Sequence, residues 1–284
     1  MTTPYTNSMF QSIKSALAKN ESGSSRYKEL LKLEVGNTYT VRLLPNIKSP
    51  KDTFLHYYTF GWQSFTTGQN ILVTSPTSWE GGRDPIAEER YRVYRHGNPE
   101  EKKRMEAIRR NENWLINVYV ISDPVNPENN GKVKVIRYGR QINKIIMSAM
   151  EGDEAADFGS RIFDLGKDGC SFKIKVEKQG EYPSYVTSKF QFPKEIEGLG
   201  ESNHEKIYSS IHDLKSFISV KSYDELKETL DQHFFGKDTS KPAAVVKEAT
   251  VEPARVEVQH SSSNLVEDSS EEIENLLKNL DEKP

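Results

Sequence analysis

The sequence predicts a mainly β protein with helical additions, an α+β chain built on a small antiparallel barrel. Three observations predict it: short segments that alternate apolar and polar residues, charged helical stretches between them, and polar segments at both ends. Only 35% of the 284 residues are hydrophobic and 29% are charged. A composition this polar indicates that part of the chain is disordered.

The strands are predicted from alternation and from the residues that interrupt it. TYTVRLLP at 38–45 alternates and stops at Pro45, and WLINVYVIS at 114–122 is separated from KVKVIRY at 132–138 by a loop that contains Asn130-Gly131. Further strands are predicted at 55–65, 70–76 and 170–180. Five or so short strands of this kind suit an OB-fold barrel.

The helices are predicted from composition and apolar spacing. EEKKRMEAIRRN lies within a charged stretch at 86–111, and Ser222 and Glu225 have the spacing of a capping box. The other predicted helices are 140–150, 204–218 and 222–235.

The chain therefore divides into three parts. Residues 1–25 are predicted to be an arm and linker, and 26–235 a folded core with a smaller subdomain inserted at about 55–111. Residues 236–284 are predicted to be a disordered linker and an acidic tail that binds other proteins.

Catalytic motifs are missing from the sequence. There is no P-loop, no G-x-S-x-G and no H-E-x-x-H, and the six histidines are scattered. The single cysteine, Cys170, excludes an internal disulfide and a multi-cysteine zinc site. We therefore expect a protein that is not an enzyme and has no cofactor. No apolar run approaches the about 20 residues of a membrane span, and no signal peptide is recognisable.

A basic run follows the long apolar strand. From Lys132 to Lys144 there are five positive charges and no acid. Strand alternation predicts that Lys132, Lys134, Ile136 and Tyr138 face outward, whereas Val133, Val135 and Arg137 face the barrel interior. The remaining cations and rings of this region are Arg104, Arg109, Arg110, Trp114, Tyr119, Arg140, Lys144, Tyr182 and Tyr185.

Cations interleaved with aromatic rings are what a single-stranded nucleic acid needs, because phosphates bind cations and bases stack on rings. Residues 260–284 carry a net charge of −5, which leaves +2 on the rest of the chain. Two plainer interpretations stay open. A strand aromatic is more often a core residue, as we expect for Tyr119, and lysines also protect exposed sheet edges.

The stretch NVYVISDPVNPENNGKVKVIRYGR at 117–140 is long and specific. It resembles the single-stranded DNA-binding (helix-destabilising) proteins of T4-like bacteriophages. TVRLLP, the basic RRN at 109–111, YPSYVTSKF at 182–190 and ENLLKNLDE near the end agree more weakly with the same family.

The resemblance implies an OB-fold core that binds single-stranded DNA cooperatively and without sequence preference. It implies a role in protecting DNA and removing its secondary structure during replication, recombination and repair, in the cytoplasm of the infected bacterial host. The expected DNA-binding residues are Arg109, Arg110, Trp114, Lys132, Lys134, Arg137, Tyr138, Arg140, Lys144, Tyr182 and Tyr185, with Ile136 where the family has a tyrosine.

The resemblance also implies roles for both ends of the chain. The N-terminal arm, with Lys14, would bind the neighbouring protomer on DNA, and the acidic tail would bind replication and recombination proteins. No membrane partner is expected. An RNA-binding or translation-regulating OB-fold module is the alternative, and a nuclease or a structural virion protein is a more distant one.

The family often has a structural zinc held by three Cys and one His. Those positions fall here on Phe60, Ser75, Asp84 and Ala87, of which only Asp84 is a good zinc ligand. We therefore expect no zinc, and packing by Trp62, Phe65, Ile71 and Trp79 instead. Tyr91 and Tyr94 belong either to the DNA groove or to that packing.

Overall fold

A computed structural model describes residues 27–78 and 82–237. The predicted N-terminal arm with Lys14, the acidic tail and Trp79 lie outside the described residues. Nine strands are described: β1 Thr38–Leu44, β2 Phe54–Gln63, β3 Asn70–Thr74, β4 Arg109–Ser122, β5 Val133–Tyr138, β6 Phe172–Lys175, β7 Glu177–Gln179, β8 Tyr182–Ser184 and β9 Lys189–Phe190. Five α-helices accompany them: α1 Pro85–His96, α2 Pro99–Met105, α3 Arg140–Glu151, α4 His204–Ser209 and α5 Tyr223–Leu230.

Strand β4 is the centre of the main sheet. The sheet has seven antiparallel strands in the order β3-β2-β4-β1-β6-β9, and β5 also pairs with β4. The registers place β1 opposite 117–122 and β2 opposite 109–116 of β4, whereas β5 lies opposite 114–119. Therefore β1 and β2 follow one another along one edge of β4, and β5 occupies the other edge.

The predicted mixture of β-sheet and helices is confirmed, but a closed barrel is not. Among the described strands the main sheet stays open, and β7 and β8 form a separate two-stranded sheet. The outer edge of β5 is covered by the segment before β1, where Leu31 N donates to Val135 O and Val135 N donates to Glu29 O, both at 2.9 Å. No helix within the described parts of the chain is long and apolar enough to cross a membrane.

The largest core lies on one face of β1, β4, β5 and β6. Ile116, Val118 and Val120 of β4 are fully buried there, as alternation requires for one face of a strand. Helix α3 covers them with Ile142 and Ile146.

A second core lies between β2, β3 and the helices that follow them. Phe60, Trp62 and Ile86 are buried in it, and α5 contributes Leu226 and Leu230 from far along the chain. Ile71 packs against this core as expected, whereas Phe65 is half exposed and meets the ring of Phe234 at its edge.

The charged stretch 86–111 differs most from its prediction. It forms two helices because Asn98 caps α2 through a capping box with Glu101, and Pro99 occupies the first turn of α2. Strand β4 then begins at Arg109, five residues before the predicted start at 114. Arg109 and Arg110 therefore project from a strand and not from a helix. The predicted helix 204–218 is likewise shorter: α4 ends at Ser209, and a separate 3₁₀ turn, capped by Asp213, covers Leu214–Phe217.

Arg42 on β1 is a fully buried cation. Its Nε donates to Ser171 Oγ at 3.0 Å, and its two terminal nitrogens donate to the carbonyl oxygens of Asp164 and Lys194. Burial lowers the pKa of the Arg42 guanidinium, and the nearby Cys170 and Asp164 oppose that effect. Gly169 lies against it so closely that a Cβ there would overlap both Arg42 and the carbonyl of Asp164.

We expect Arg42→Met to lower the free energy of unfolding by about 3 kcal/mol, because it leaves buried acceptors without a donor. Urea denaturation followed by circular dichroism measures this change. Arg83→Met is the matched control, since Arg83 is 76% exposed in its ion pair with Glu88. An exposed pair contributes about 0–1 kcal/mol. Equal effects of the two substitutions would contradict a structural role for Arg42.

Candidate nucleic-acid interface

A row of three rings crosses the sheet where β5, β4 and β2 lie side by side. Tyr138 pairs with Trp114, and Trp114 pairs with His56. The ring centroids of Tyr138 and Trp114 are 6.0 Å apart at 11°, and those of Trp114 and His56 are 4.7 Å apart at 20°. The three rings are therefore nearly parallel, with Trp114 in the middle.

The next residues along β2 and β4 extend this row with charge. The ring centroids of Tyr58 and His56 are 4.7 Å apart and the two rings meet edge to face, at 70°. The guanidinium carbon of Arg110 lies 3.8 Å from the Tyr58 ring centroid. Glu112 pairs with Tyr58 in the register. We call these residues, from Tyr138 through Trp114, His56 and Tyr58 to Arg110, the ring row.

The carboxylate of Glu112 joins the ring row to α3. It accepts from His56 Nε2 at 2.8 Å and from Arg140 Nε at 2.7 Å. Burial by itself would raise the pKa of the Glu112 carboxyl, but the hydrogen bonds from His56 and Arg140 outweigh it and lower the pKa to about 2. Glu112 is therefore ionised at neutral pH and neutralises part of the positive charge beside the row.

The expected basic residues separate into two groups. Arg109 and Arg110 lie at the start of β4, and Arg140 begins α3 with Lys144 exposed one turn further on the same helix face. Arg110, Arg140 and Lys144 lie on the side of the ring row, whereas strand alternation places Arg109 on the opposite face of β4. Lys132 precedes the other end of β5, about 20 Å from Tyr138 at the usual rise of a strand. Arg137 is exposed on β5, next to Tyr138.

The predicted outward face of β5 is wrong. Ile136 and Tyr138 belong to the largest core, and Lys134 is buried as well. The Lys134 ammonium donates to Glu29 Oε2 and to the carbonyl of Lys28, both at 2.9 Å. Arg137, which was expected inside, is exposed, because the cover over its face of β5 reaches Val135 but not Arg137. Lys134 therefore fastens residues 28–29 to the sheet.

The expected stacking residues differ in exposure. Trp114 and Tyr182 are partly exposed, whereas Tyr138 and Tyr185 are buried in the largest core. Burial raises the pKa of the Tyr138 hydroxyl, which meets no hydrogen-bond partner among the described residues, and raises the pKa of Tyr185 to about 12. Tyr119 is buried, as expected for a core residue, in a smaller cluster with Leu44.

Tyr91 and Tyr94 are not members of the second core. Both are partly exposed on α1. Each lies beside an arginine of its own helix, Arg95 at 5.1 Å from the Tyr91 ring and Arg90 at 5.9 Å from the Tyr94 ring. Of the two interpretations that the sequence leaves open, packing in the second core is therefore not what the structure shows.

The four positions that correspond to zinc ligands do not fit a zinc ion. Phe60 and Ala87 offer no ligand atom and pack in or against the second core. Ser75 Oγ donates to Asp84, whose other oxygen caps α1 by accepting from Ile86 N at 2.9 Å. The part of the chain that the structure describes contains no cluster of three metal-binding side chains.

Sequence reasoning missed His56, Tyr58 and Glu112 as members of the site. His56 and Glu112 are 56 positions apart and meet only through the pairing of β2 with β4. The alternating HYYTFGWQ of β2 places both His56 and Tyr58 on one face, which was the available signal. The register that sets them beside Trp114 could not be derived from the sequence.

Comparison with known proteins identifies relatives of this chain among DNA-binding proteins. Residues 36–234 match a family model described as gp32 DNA binding protein like. The chain is also 27% identical over 138 residues to the single-stranded DNA-binding protein of Enterobacteria phage T4, which covers 46% of this chain and 45% of that protein. With the corresponding protein of Enterobacteria phage T2 it shares 28% identity over 131 residues, 44% of this chain and 43% of that one.

The chain thus matches less than half the length of either relative. The family model, in contrast, covers most of the chain, including β1 to β9 and the helices between them. It also includes every residue of the ring row and its surrounding cations. The chain therefore belongs to the gp32 DNA binding protein like family.

Proposed function

We propose that this protein binds single-stranded DNA without sequence preference and performs no chemical step. The observation that carries the proposal is the ring row with Arg110, Arg140 and Lys144 beside it. Cations on both sides of aromatic rings match a chain of phosphates and bases, and every base has a face that can stack. The names of the T4 and T2 relatives support DNA as the ligand.

Phosphates and bases would use different parts of this surface. Lys144 is exposed and Arg110 is partly exposed, so a phosphate can reach both without entering the core. Arg109 is exposed on the other face of β4, where it could contact the DNA backbone further along the strand. Bases would stack on partly exposed rings, with Trp114 as the central one and with Tyr182, Tyr91 and Tyr94 as additional positions. Tyr138 and Tyr185 are buried and would support this surface by packing in the core beneath it. Lys134 would act indirectly, by fastening residues 28–29 to the sheet.

The wider proposal follows the family. The protein would coat transient single strands cooperatively, protect them and remove secondary structure during phage DNA replication, recombination and repair, in the cytoplasm of the infected host. The arm at 1–25 with Lys14 would join protomers along DNA. The tail within 236–284 would bind replication and recombination proteins. The proposal includes an OB-fold core, which the antiparallel pairing of β1, β4, β5 and β6 supports.

The first test is a fluorescence titration with oligo-dT at several salt concentrations. We expect quenching of Trp114 and an affinity that falls as salt rises, with a log–log slope of about −0.7 for each phosphate contact on a single strand. An affinity that does not change with salt would contradict the proposal. Competition with poly-U separates DNA from RNA binding, and preference for poly-U would favour the RNA-binding alternative.

A pair of lysine substitutions tests which cations contact DNA. Lys144→Ala should leave stability unchanged and make the salt slope shallower by about 0.7, because an exposed cation is removed. Lys134→Met should leave the slope unchanged and lower the free energy of unfolding by about 1–3 kcal/mol, because the ion pair with Glu29 and the hydrogen bond to the Lys28 carbonyl are lost. The opposite assignment of the two effects would contradict the grouping around the ring row.

Removal of residues 260–284 tests the tail. These residues carry a net charge of −5. If the tail competes with DNA for the basic surface, the truncated protein lowers the melting temperature of duplex DNA more than the full chain does. This difference disappears at high salt. A melting temperature identical for both proteins at low salt would contradict this role.

A further inference from the structure

Both faces of the Trp114 ring are covered in the structure. Strand β4 lies between β5 and β2, so Tyr138 and His56, which pair with Trp114 in the register, lie on its two sides. Both neighbouring rings are nearly parallel to it, at 6.0 Å and 4.7 Å. A base can therefore stack on Trp114 only if one of these rings moves.

Of the two covering rings, His56 is the one able to move. Tyr138 is 4% exposed and is part of the largest core, so its displacement would open a cavity. The His56 side chain is 39% exposed. It is held in place by the stacking contact with Trp114, the edge of Tyr58 and the hydrogen bond to Glu112.

His56 and Glu112 together resemble a bound nucleotide. The imidazole of His56 is a flat heteroaromatic ring that stacks on Trp114, as a base would. The carboxylate of Glu112 accepts a hydrogen bond from Arg140 at 2.7 Å, as a phosphate oxygen would. The two groups are hydrogen-bonded to each other at 2.8 Å, so displacement of one loosens the other.

We propose that His56 and Glu112 are internal competitors for DNA, in which the His56 ring occupies a base position on Trp114 and the Glu112 carboxylate occupies a phosphate position on Arg140. This inference rests on the proposed function and goes beyond it by assigning two further residues to the binding site. DNA binding then exchanges one set of contacts for another: a base replaces His56 on Trp114, and a phosphate replaces Glu112 on Arg140.

The exchange predicts that some substitutions in the site raise the affinity for DNA. Substitution of a residue that contacts DNA weakens binding, whereas removal of an internal competitor strengthens it. His56→Ala uncovers one face of Trp114, so oligo-dT should bind at least about five-fold more tightly, the lower end of the stacking energy per base. His56→Phe keeps a ring over Trp114 and should give no gain.

The base and the phosphate parts of the exchange are tested separately with a second ligand. An abasic oligonucleotide of the same length offers phosphates but nothing to stack. His56→Ala should therefore bind it no more tightly than the unsubstituted protein does. Glu112→Gln should bind both oligonucleotides more tightly and steepen the salt slope by about 0.7, because the Glu112 carboxylate no longer competes with a phosphate for Arg140.

Glu197→Gln is the matched control for the change in net charge. The Glu197 side chain is 92% exposed. Its neighbour Ile196 packs in the cluster of Tyr119 and not in the ring row, so Glu197 tests a charge change away from Trp114. An effect of net charge alone would appear equally in Glu112→Gln and Glu197→Gln, and that outcome would overturn the phosphate part of the proposal. Thermal unfolding of each variant checks that the fold is retained.

A measurement without DNA tests the cover itself. Acrylamide should quench Trp114 more strongly in His56→Ala than in the unsubstituted protein, with His56→Phe unchanged; Trp114→Phe provides the background from the other tryptophans. Equal quenching, or weaker binding of oligo-dT by His56→Ala, would overturn the base part. If the unsubstituted protein fails to bind oligo-dT, the proposed function fails, whereas the acrylamide result still decides whether His56 covers Trp114.

Discussion

The pairing of β4 with three strands is the constraint on which both the fold and the site depend. On one face of β4, Ile116, Val118 and Val120 fill the largest core, and Trp114 and Arg110 continue the same face into the ring row. The ladder hydrogen bonds that fix the core register thus also fix the ring spacing. Because neighbouring strands lie about 4.8 Å apart, directly paired rings stack without further adjustment. Strand pairing therefore sets the positions of Trp114 and Tyr138 before any ligand arrives.

Sequence reasoning succeeded where the information is local and failed where it is not. Alternation and turn residues located β1 to β5, and Ser222 with Glu225 forms the expected capping box. Alternation also suggested an exposed face for Lys134, because a period of two shows that two faces differ and does not show what covers them. The covering residue, Glu29, lies 105 positions away. For the same reason, the pairing of His56 with Trp114 was not predictable, although both residues are in predicted strands.

The second core links the site to the C-terminal part of the described chain. Strand β2 contributes Phe60 to this core and His56 and Tyr58 to the ring row. Helix α5 closes the core with Leu226 and Leu230. Packing against a distant helix therefore holds β2 in the region where no zinc is expected, although the family often has one there. The buried contact between Ser75 and Asp84 fixes the start of α1 nearby. Substitutions in α5 would therefore disturb the ring row through β2, without contact with the ligand.

An internal competitor of the kind proposed for His56 and Glu112 lowers affinity, yet it would suit the proposed role of covering single-stranded DNA transiently. Without His56, departure of DNA would leave one face of Trp114 exposed to water beside the largest core, which is unfavourable. Without Glu112, Arg140 would lose its ion pair with that carboxylate. With them, each interaction that breaks as the strand leaves is replaced by one within the protein. The net affinity then depends on the difference between two similar sets of contacts, which is small even when each set is strong. Stepwise replacement of this kind also lowers the barrier to dissociation, because no intermediate lacks both the DNA group and the side chain that replaces it.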